Sequence, residues 1–147
     1  MSHPVVLYVE DEEADVFFVQ RAFEFLRATS PLRVIRNGRD AVDYLAGNGR
    51  FSDRQRYPLP SLVLLDLHLP AVSGMEVLEW IRQQPQFQLL PVVIFSGSSL
   101  ENDQQQALQR GANDFIVKPL NMSRVQDVLR SVLDRWLKDN STGEQAA

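Results

Sequence analysis

Apolar residues along the chain fall into two kinds of run. Pro4-Val5-Val6-Leu7-Tyr8-Val9, Leu62-Val63-Leu64-Leu65, Val92-Val93-Ile94-Phe95 and Phe115-Ile116-Val117 are short and nearly all apolar, and Leu32 to Arg36 alternates apolar and charged. Runs of this length suit strands. Continuous apolarity suits strands covered on both faces of a parallel sheet. Between these runs the apolar positions recur at helical spacing. Val16, Val19, Phe23 and Leu26 make one stripe, and Val125, Val128, Leu129, Val132, Leu133 and Trp136 make another. Asp40 to Ala46, Met75 to Gln83 and Leu100 to Arg110 are further helix candidates, the last stopped by Gly111. Strand and helix thus alternate about five times, which predicts an α/β fold: an open, doubly wound parallel sheet with helices on both faces. Gly47 to Pro60 breaks the repeat and reads as a long surface loop before the third strand. Residues 1–137 form the expected domain, and 138–147, polar and small, read as a fraying tail.

Composition narrows the chemistry. A length of 147 residues suits one domain. The absence of cysteine excludes disulfides, thiolate metal centres and thiol catalysis. His3 and His68 are the only histidines, which excludes a His-rich metal site. A net charge of −4 argues against a domain that grips nucleic-acid phosphates directly. No apolar run reaches membrane-span length and no signal-peptide pattern opens the chain, so a soluble cytoplasmic protein is expected.

In open parallel sheets, ligands bind at the carboxyl ends of the strands. Glu10-Asp11-Glu12-Glu13 follows the first strand, with Asp15 close behind; Asp66 follows the third, Ser96-Gly97-Ser98-Ser99 the fourth, and Lys118-Pro119 the fifth. Each has a plainer role when taken singly. Acids favour helix N-termini, Asp66 and the serines can cap helices, and His68 can be a solvated loop residue. Their joint placement at one sheet edge is harder to obtain from capping. Clustered carboxylates repel, and a divalent cation relieves that repulsion. All-oxygen ligands suit magnesium. An ammonium and a hydroxyl beside the metal suit a transferring phosphoryl group, and a carboxylate can be its nucleophile. Neither GxxxxGK[ST] nor GxGxxG occurs, so the phosphoryl group would arrive on a donor.

These residues resemble the receiver domains of two-component signalling, the CheY-like response regulators. The resemblance rests on Leu7-Tyr8-Val9-Glu10-Asp11, Leu64-Leu65-Asp66-Leu67-His68-Leu69-Pro70 with Gly74, Phe95-Ser96-Gly97 and Val117-Lys118-Pro119. It runs from about Pro4 to Leu137. It implies a flavodoxin-like sheet of five strands in the order 2-1-3-4-5. It also implies that Asp66 is the phosphoacceptor and that magnesium is held by Glu10, Asp11, Asp66 and the backbone carbonyl of His68. Lys118 would pair with a phosphoryl oxygen. Ser96 and Phe115 would be the switch pair, and Lys118-Pro119 would be a cis peptide. Glu10 stands where aspartate is commoner, Ser96 where threonine is, and Phe115 lacks a hydroxyl.

On this resemblance the chain is expected to be a stand-alone receiver with no output domain. It would not be an enzyme beyond catalysing its own phosphorylation and dephosphorylation. Expected partners are a histidine kinase and a downstream target or phosphotransfer protein. The Asn37-Gly38-Arg39-Asp40-Ala41-Val42-Asp43-Tyr44-Leu45 stretch, the Gly47–Pro60 loop and the Glu-Asp pair look most like small receivers of bacterial phytochrome kinases. Signalling would run through the face of the fourth helix, fifth strand and fifth helix, which is also the candidate homodimer face. Leu129, Leu133 and Leu137, one turn apart, either serve that dimer or pack on the sheet. Two other readings stand beside this one: a constitutive adaptor with a vestigial site, and an aspartyl-phosphate hydrolase. The hydrolase reading is weakened because His68 occupies the place of its general acid.

Overall fold

The computed structural model describes residues 4–137. Strands β1 (Val6–Val9), β2 (Leu32–Ile35), β3 (Leu62–Leu65), β4 (Val92–Ser96) and β5 (Asp114–Val117) alternate with helices α1 (Glu13–Phe25), α2 (Gly38–Ala46), α3 (Gly74–Gln83), α4 (Glu101–Gln109) and α5 (Met122–Trp136). The strands form one parallel sheet in the order β2-β1-β3-β4-β5. Alternate residues of each central strand feed opposite faces. Leu7, Val9, Val63, Leu65, Val92 and Ile94 pack with α2, α3 and α4, whereas Val6, Tyr8, Leu62, Leu64, Val93 and Phe95 pack with α1 and α5. β1 and β3 are fully buried along their length, as their unbroken apolar runs require.

Parallel pairing aligns the carboxyl ends of β1, β3, β4 and β5 along one edge. Two glycines let helices press against that edge. A Cβ on Gly74 would lie 2.0 Å from the Asp66 carbonyl oxygen, and one on Gly38 would lie 1.9 Å from that of Val72. Ser73 and Glu76 form a reciprocal capping box at the start of α3 and fix where that helix begins.

Two expectations need correction. Gly47 to Pro60 is not a plain surface loop. It contains a 3-10 turn over Gly49–Ser52 with Phe51 buried. Tyr44, Phe51 and Tyr57 pack ring against ring, with centroids 5.1–6.0 Å apart. The Arg54 guanidinium donates to the carbonyls of Tyr44, Leu45 and Tyr57 and so satisfies orphan carbonyls at the end of α2. Second, the Lys118–Pro119 peptide is trans, like the others described. Trans is the lower-energy isomer before proline, and cis needs a context that enforces it. Of the row Leu129, Leu133 and Leu137, whose role was left open, Leu129 is buried and the other two are half-buried against the core layer beside α1 and α5. The packing alternative for that row is the one visible here, with Val125, Leu129 and Val132 of α5 in one cluster with residues of β1, β3 and β4. The segment 138–147, expected to be a tail, lies outside the described residues.

Candidate functional site

Four strand ends bring polar groups into one cleft. Asp66 is buried directly after β3, Ser96 closes β4 and is buried, and Lys118 follows β5. Asp11, Asp66, His68, Gly97 and Lys118 line the same open cleft. The Lys118 ammonium lies 2.6 Å from Glu10 Oε1, 2.7 Å from Asp15 Oδ2 and 3.2 Å from Asp66 Oδ2. An ammonium has three donors, and here each one has a carboxylate.

Glu10 is fully buried and is the most constrained acid of the group. It accepts from the Tyr8 hydroxyl at 3.2 Å and from the Glu12 amide at 3.3 Å. Burial pushes its carboxyl up to about 7; Lys118 pulls against that, and the neighbouring Asp66 adds to it. The Lys118 ammonium is held above the usual lysine range. Burial alone would lower it, but hydrogen bonds to Asp15 and Glu10 and the charge of Asp66 prevail. The Tyr8 phenol is pushed well up, first by burial and then by the charge of Glu10.

Carboxylate oxygens of Glu10, Asp11 and Asp66 lie within 4.8 Å of one another, a spacing that could hold a metal ion. The donors are hard oxygens, and no sulfur or imidazole competes, so the set fits a hard divalent cation. His68 has an exposed side chain, while its amide donates to Asp66 Oδ1 at 3.3 Å, which orients the carboxylate. The site thus brings together Glu10, Asp11, Asp66 and Lys118 as expected, with the His68 backbone at its edge.

The switch positions are placed differently. The Ser96 hydroxyl accepts from the Ser98 amide at 3.2 Å, within its own loop. Ser98 does not cap α4 as its composition suggested. It donates to Asp103 Oδ2 at 2.6 Å and accepts from the Leu100 amide at 3.3 Å, while Leu100 takes the cap position without a side-chain bond. Phe115 is half-buried against the core layer of α2, α3 and α4. Asp15, noted behind the acidic run but given no role there, is a further participant. It sits in the first turn of α1, where an acid is ordinarily read as a partner of the helix dipole. Its place one helical turn beyond Asp11 was the available signal.

The profile of the response regulator receiver domain matches residues 6–130. The chain belongs to that family. Among curated receivers it is 35% identical to FilR2 of Methanothrix harundinacea, a probable methanogenesis regulatory protein, over 90% of this chain and 83% of that one. It is 31% identical to the response regulator Rcp1 of Synechocystis, over 91% of this chain and 89% of Rcp1. Solved receiver structures agree. The phosphorylated cyanobacterial phytochrome response regulator RcpA superposes with a TM-score of 0.85 at 31% identity, covering 93% of this chain and 96% of RcpA. RPA3017, a response regulator in red light signaling of R. palustris, gives 0.86 at 32% identity, covering 92% and 94%. The Mn(2+)-bound form of Rcp1 gives 0.82 at 31% identity, covering 92% of this chain and 95% of Rcp1. This receiver is therefore a two-component signalling domain whose relatives include phytochrome response regulators.

Proposed function

We propose that this receiver is a magnesium-dependent phosphorylation switch that takes a phosphoryl group from a histidine kinase onto Asp66. The observation that carries this reading is the Lys118 ammonium bonded to Asp66 inside a carboxylate cluster spaced for a cation. Glu10, Asp11, Asp66 and the His68 carbonyl are the groups that would hold magnesium. When bound, the ion supplies charge neutralisation at the cluster and at phosphoryl oxygens.

The chain's own groups do the rest. A carboxylate oxygen of Asp66 attacks phosphorus in line. The O–P bond forms as the N–P bond of the donor phosphohistidine breaks, and the departing imidazole keeps the bonding pair and takes up a proton. The His68 amide, bonded to Asp66 Oδ1, leaves the other oxygen directed into the cleft. Lys118 transfers a donor to a phosphoryl oxygen, where negative charge accumulates. Gly97 is exposed and leaves the approach open.

The readout follows from Ser96 and Phe115. A hydroxyl bonded only weakly within its own loop can exchange that bond for a phosphoryl oxygen, and the half-buried Phe115 can turn inward beside it. This biases a two-state element, the face of α4, β5 and α5. That face carries the exposed side chains Leu100, Leu108 and Val117, which suit a protein partner or a second receiver. A phytochrome-type histidine kinase is the favoured donor, since receivers of that class stand among the similar structures.

Beryllium fluoride, a phosphoryl mimic, gives the test. Fluorine NMR of the protein with beryllium fluoride and magnesium should show a bound signal in the wild type and none in Asp66→Asn. A wild type that binds no mimic would favour the adaptor reading.

A further inference from the structure

Lys118 is shared between Asp66 and an acid, Asp15, that lies outside the carboxylates spaced for a cation. Of its three contacts, those to Glu10 and Asp15, at 2.6 and 2.7 Å, are the short ones, and the contact to Asp66 is the long one at 3.2 Å. Asp15 comes from α1 and Lys118 follows β5, so the bond ties two elements 103 residues apart. The Lys118 side chain is 15% exposed and that of Asp15 is 32%, which makes Asp15 the carboxylate of the three most easily returned to water. An ammonium with three donors and three carboxylates has none left for a phosphoryl oxygen. One bond must open before Lys118 can serve the incoming group.

We propose that Asp15 is a positioning residue that restrains Lys118 and thereby limits the rate of phosphoryl uptake at Asp66. The proposal rests on the reading of Asp66 as phosphoacceptor. Asp15 is not among the carboxylates spaced to hold a cation, so it acts on the ammonium and not on the metal. Removing that charge releases one Lys118 donor for the incoming group.

The test is the initial rate of phosphoryl uptake from acetyl phosphate at saturating magnesium, followed by intact mass. It is run on wild type, Asp15→Asn, Lys118→Met and the double variant. Magnesium affinity is measured separately by titration of intrinsic fluorescence. Asp15→Asn should speed uptake about three- to tenfold, the scale of one partly exposed charged contact. Magnesium affinity should stay within about twofold, and the acceleration should vanish in the Lys118→Met background. An unchanged or slower rate in Asp15→Asn overturns the proposal. So does an equal acceleration without Lys118, which would reduce Asp15 to bulk repulsion, or a change in magnesium affinity large enough to explain the rate. If wild type itself takes up no phosphoryl group, the phosphoacceptor reading fails and this proposal falls with it. If wild type is labelled and only the Asp15 effect is missing, the failure belongs to this proposal alone.

Discussion

Two half-buried cations sit at opposite ends of the sheet and are satisfied by different means. Lys118, at the carboxyl edge, is surrounded by the carboxylates of Glu10, Asp15 and Asp66. Arg82, on α3, reaches the other end. It donates to the carbonyls of Gly111 and Phe87 and to the Asn113 side chain, each at 2.9 Å, and Asn113 in turn accepts from the Val92 amide at the start of β4. Burial lowers the Arg82 guanidinium from its usual range, and among the described residues no carboxylate pairs with it. A cation balanced by anions can exchange one anion for another, which is what the proposed function asks of Lys118. A cation bonded to neutral backbone oxygens has no such competitor, and Arg82 fastens α3 to the entries of β4 and β5. One arrangement is built to change partners and the other to stay fixed.

Substitution of each cation separates the two roles. Lys118→Met should slow phosphoryl uptake by about 100-fold or more, because charge at the transferring group loses its nearest donor. In chelator the same variant should lose about 2–3 kcal/mol of stability in urea unfolding, since it strands buried carboxylates. Added magnesium should recover much of that loss. Arg82→Leu should cost about 1–3 kcal/mol through the unsatisfied acceptors it leaves. That loss should be indifferent to magnesium, and uptake well below the unfolding temperature should stay within about twofold of wild type. If the Arg82 variant responds to magnesium as the Lys118 variant does, the contrast between the two ends is wrong.

A smaller effect follows from Glu10. Its carboxyl rises from an ordinary value of 4.5 to about 7 in the folded, metal-free protein. Between those values the folded state binds more protons than the unfolded state, so stability falls as pH rises through this window. Melting temperature measured in chelator from pH 4.5 to 7 should therefore carry a downward contribution from Glu10. Glu10→Gln should remove that contribution. A pH profile identical in wild type and Glu10→Gln would show that folding leaves the Glu10 carboxyl at its ordinary value.

The same contrast explains what could be read before the structure. β1, β3 and β4 are legible because strands buried on both faces must be apolar at every position. The groups at their ends are legible because a parallel sheet brings carboxyl ends together whatever the details of the loops. Glu10, Asp11, Asp66 and Lys118 converge for that reason. Contacts between distant elements leave no such periodic trace. The Arg54 guanidinium caps α2 from a segment whose glycines and prolines suggest only a loop. The spacing of Tyr44, Phe51 and Tyr57 held the clue to that packing, but aromatic residues in a polar stretch do not say which ring they meet. Asp15 was visible beside the acidic run, but its contact with Lys118 was not, because an acid in a first helical turn already has a local explanation. The isomer of the Lys118–Pro119 peptide depends on the surrounding fold and not on the dipeptide.

The central claim is that Asp66 accepts a phosphoryl group through a cation-dependent site. Intact mass after incubation with acetyl phosphate, with and without magnesium, tests it most directly on wild type and Asp66→Asn. A single phosphoryl adduct on wild type, dependent on magnesium and absent from Asp66→Asn, is the predicted result. An adduct that persists in Asp66→Asn, or that forms equally well in chelator, would contradict it.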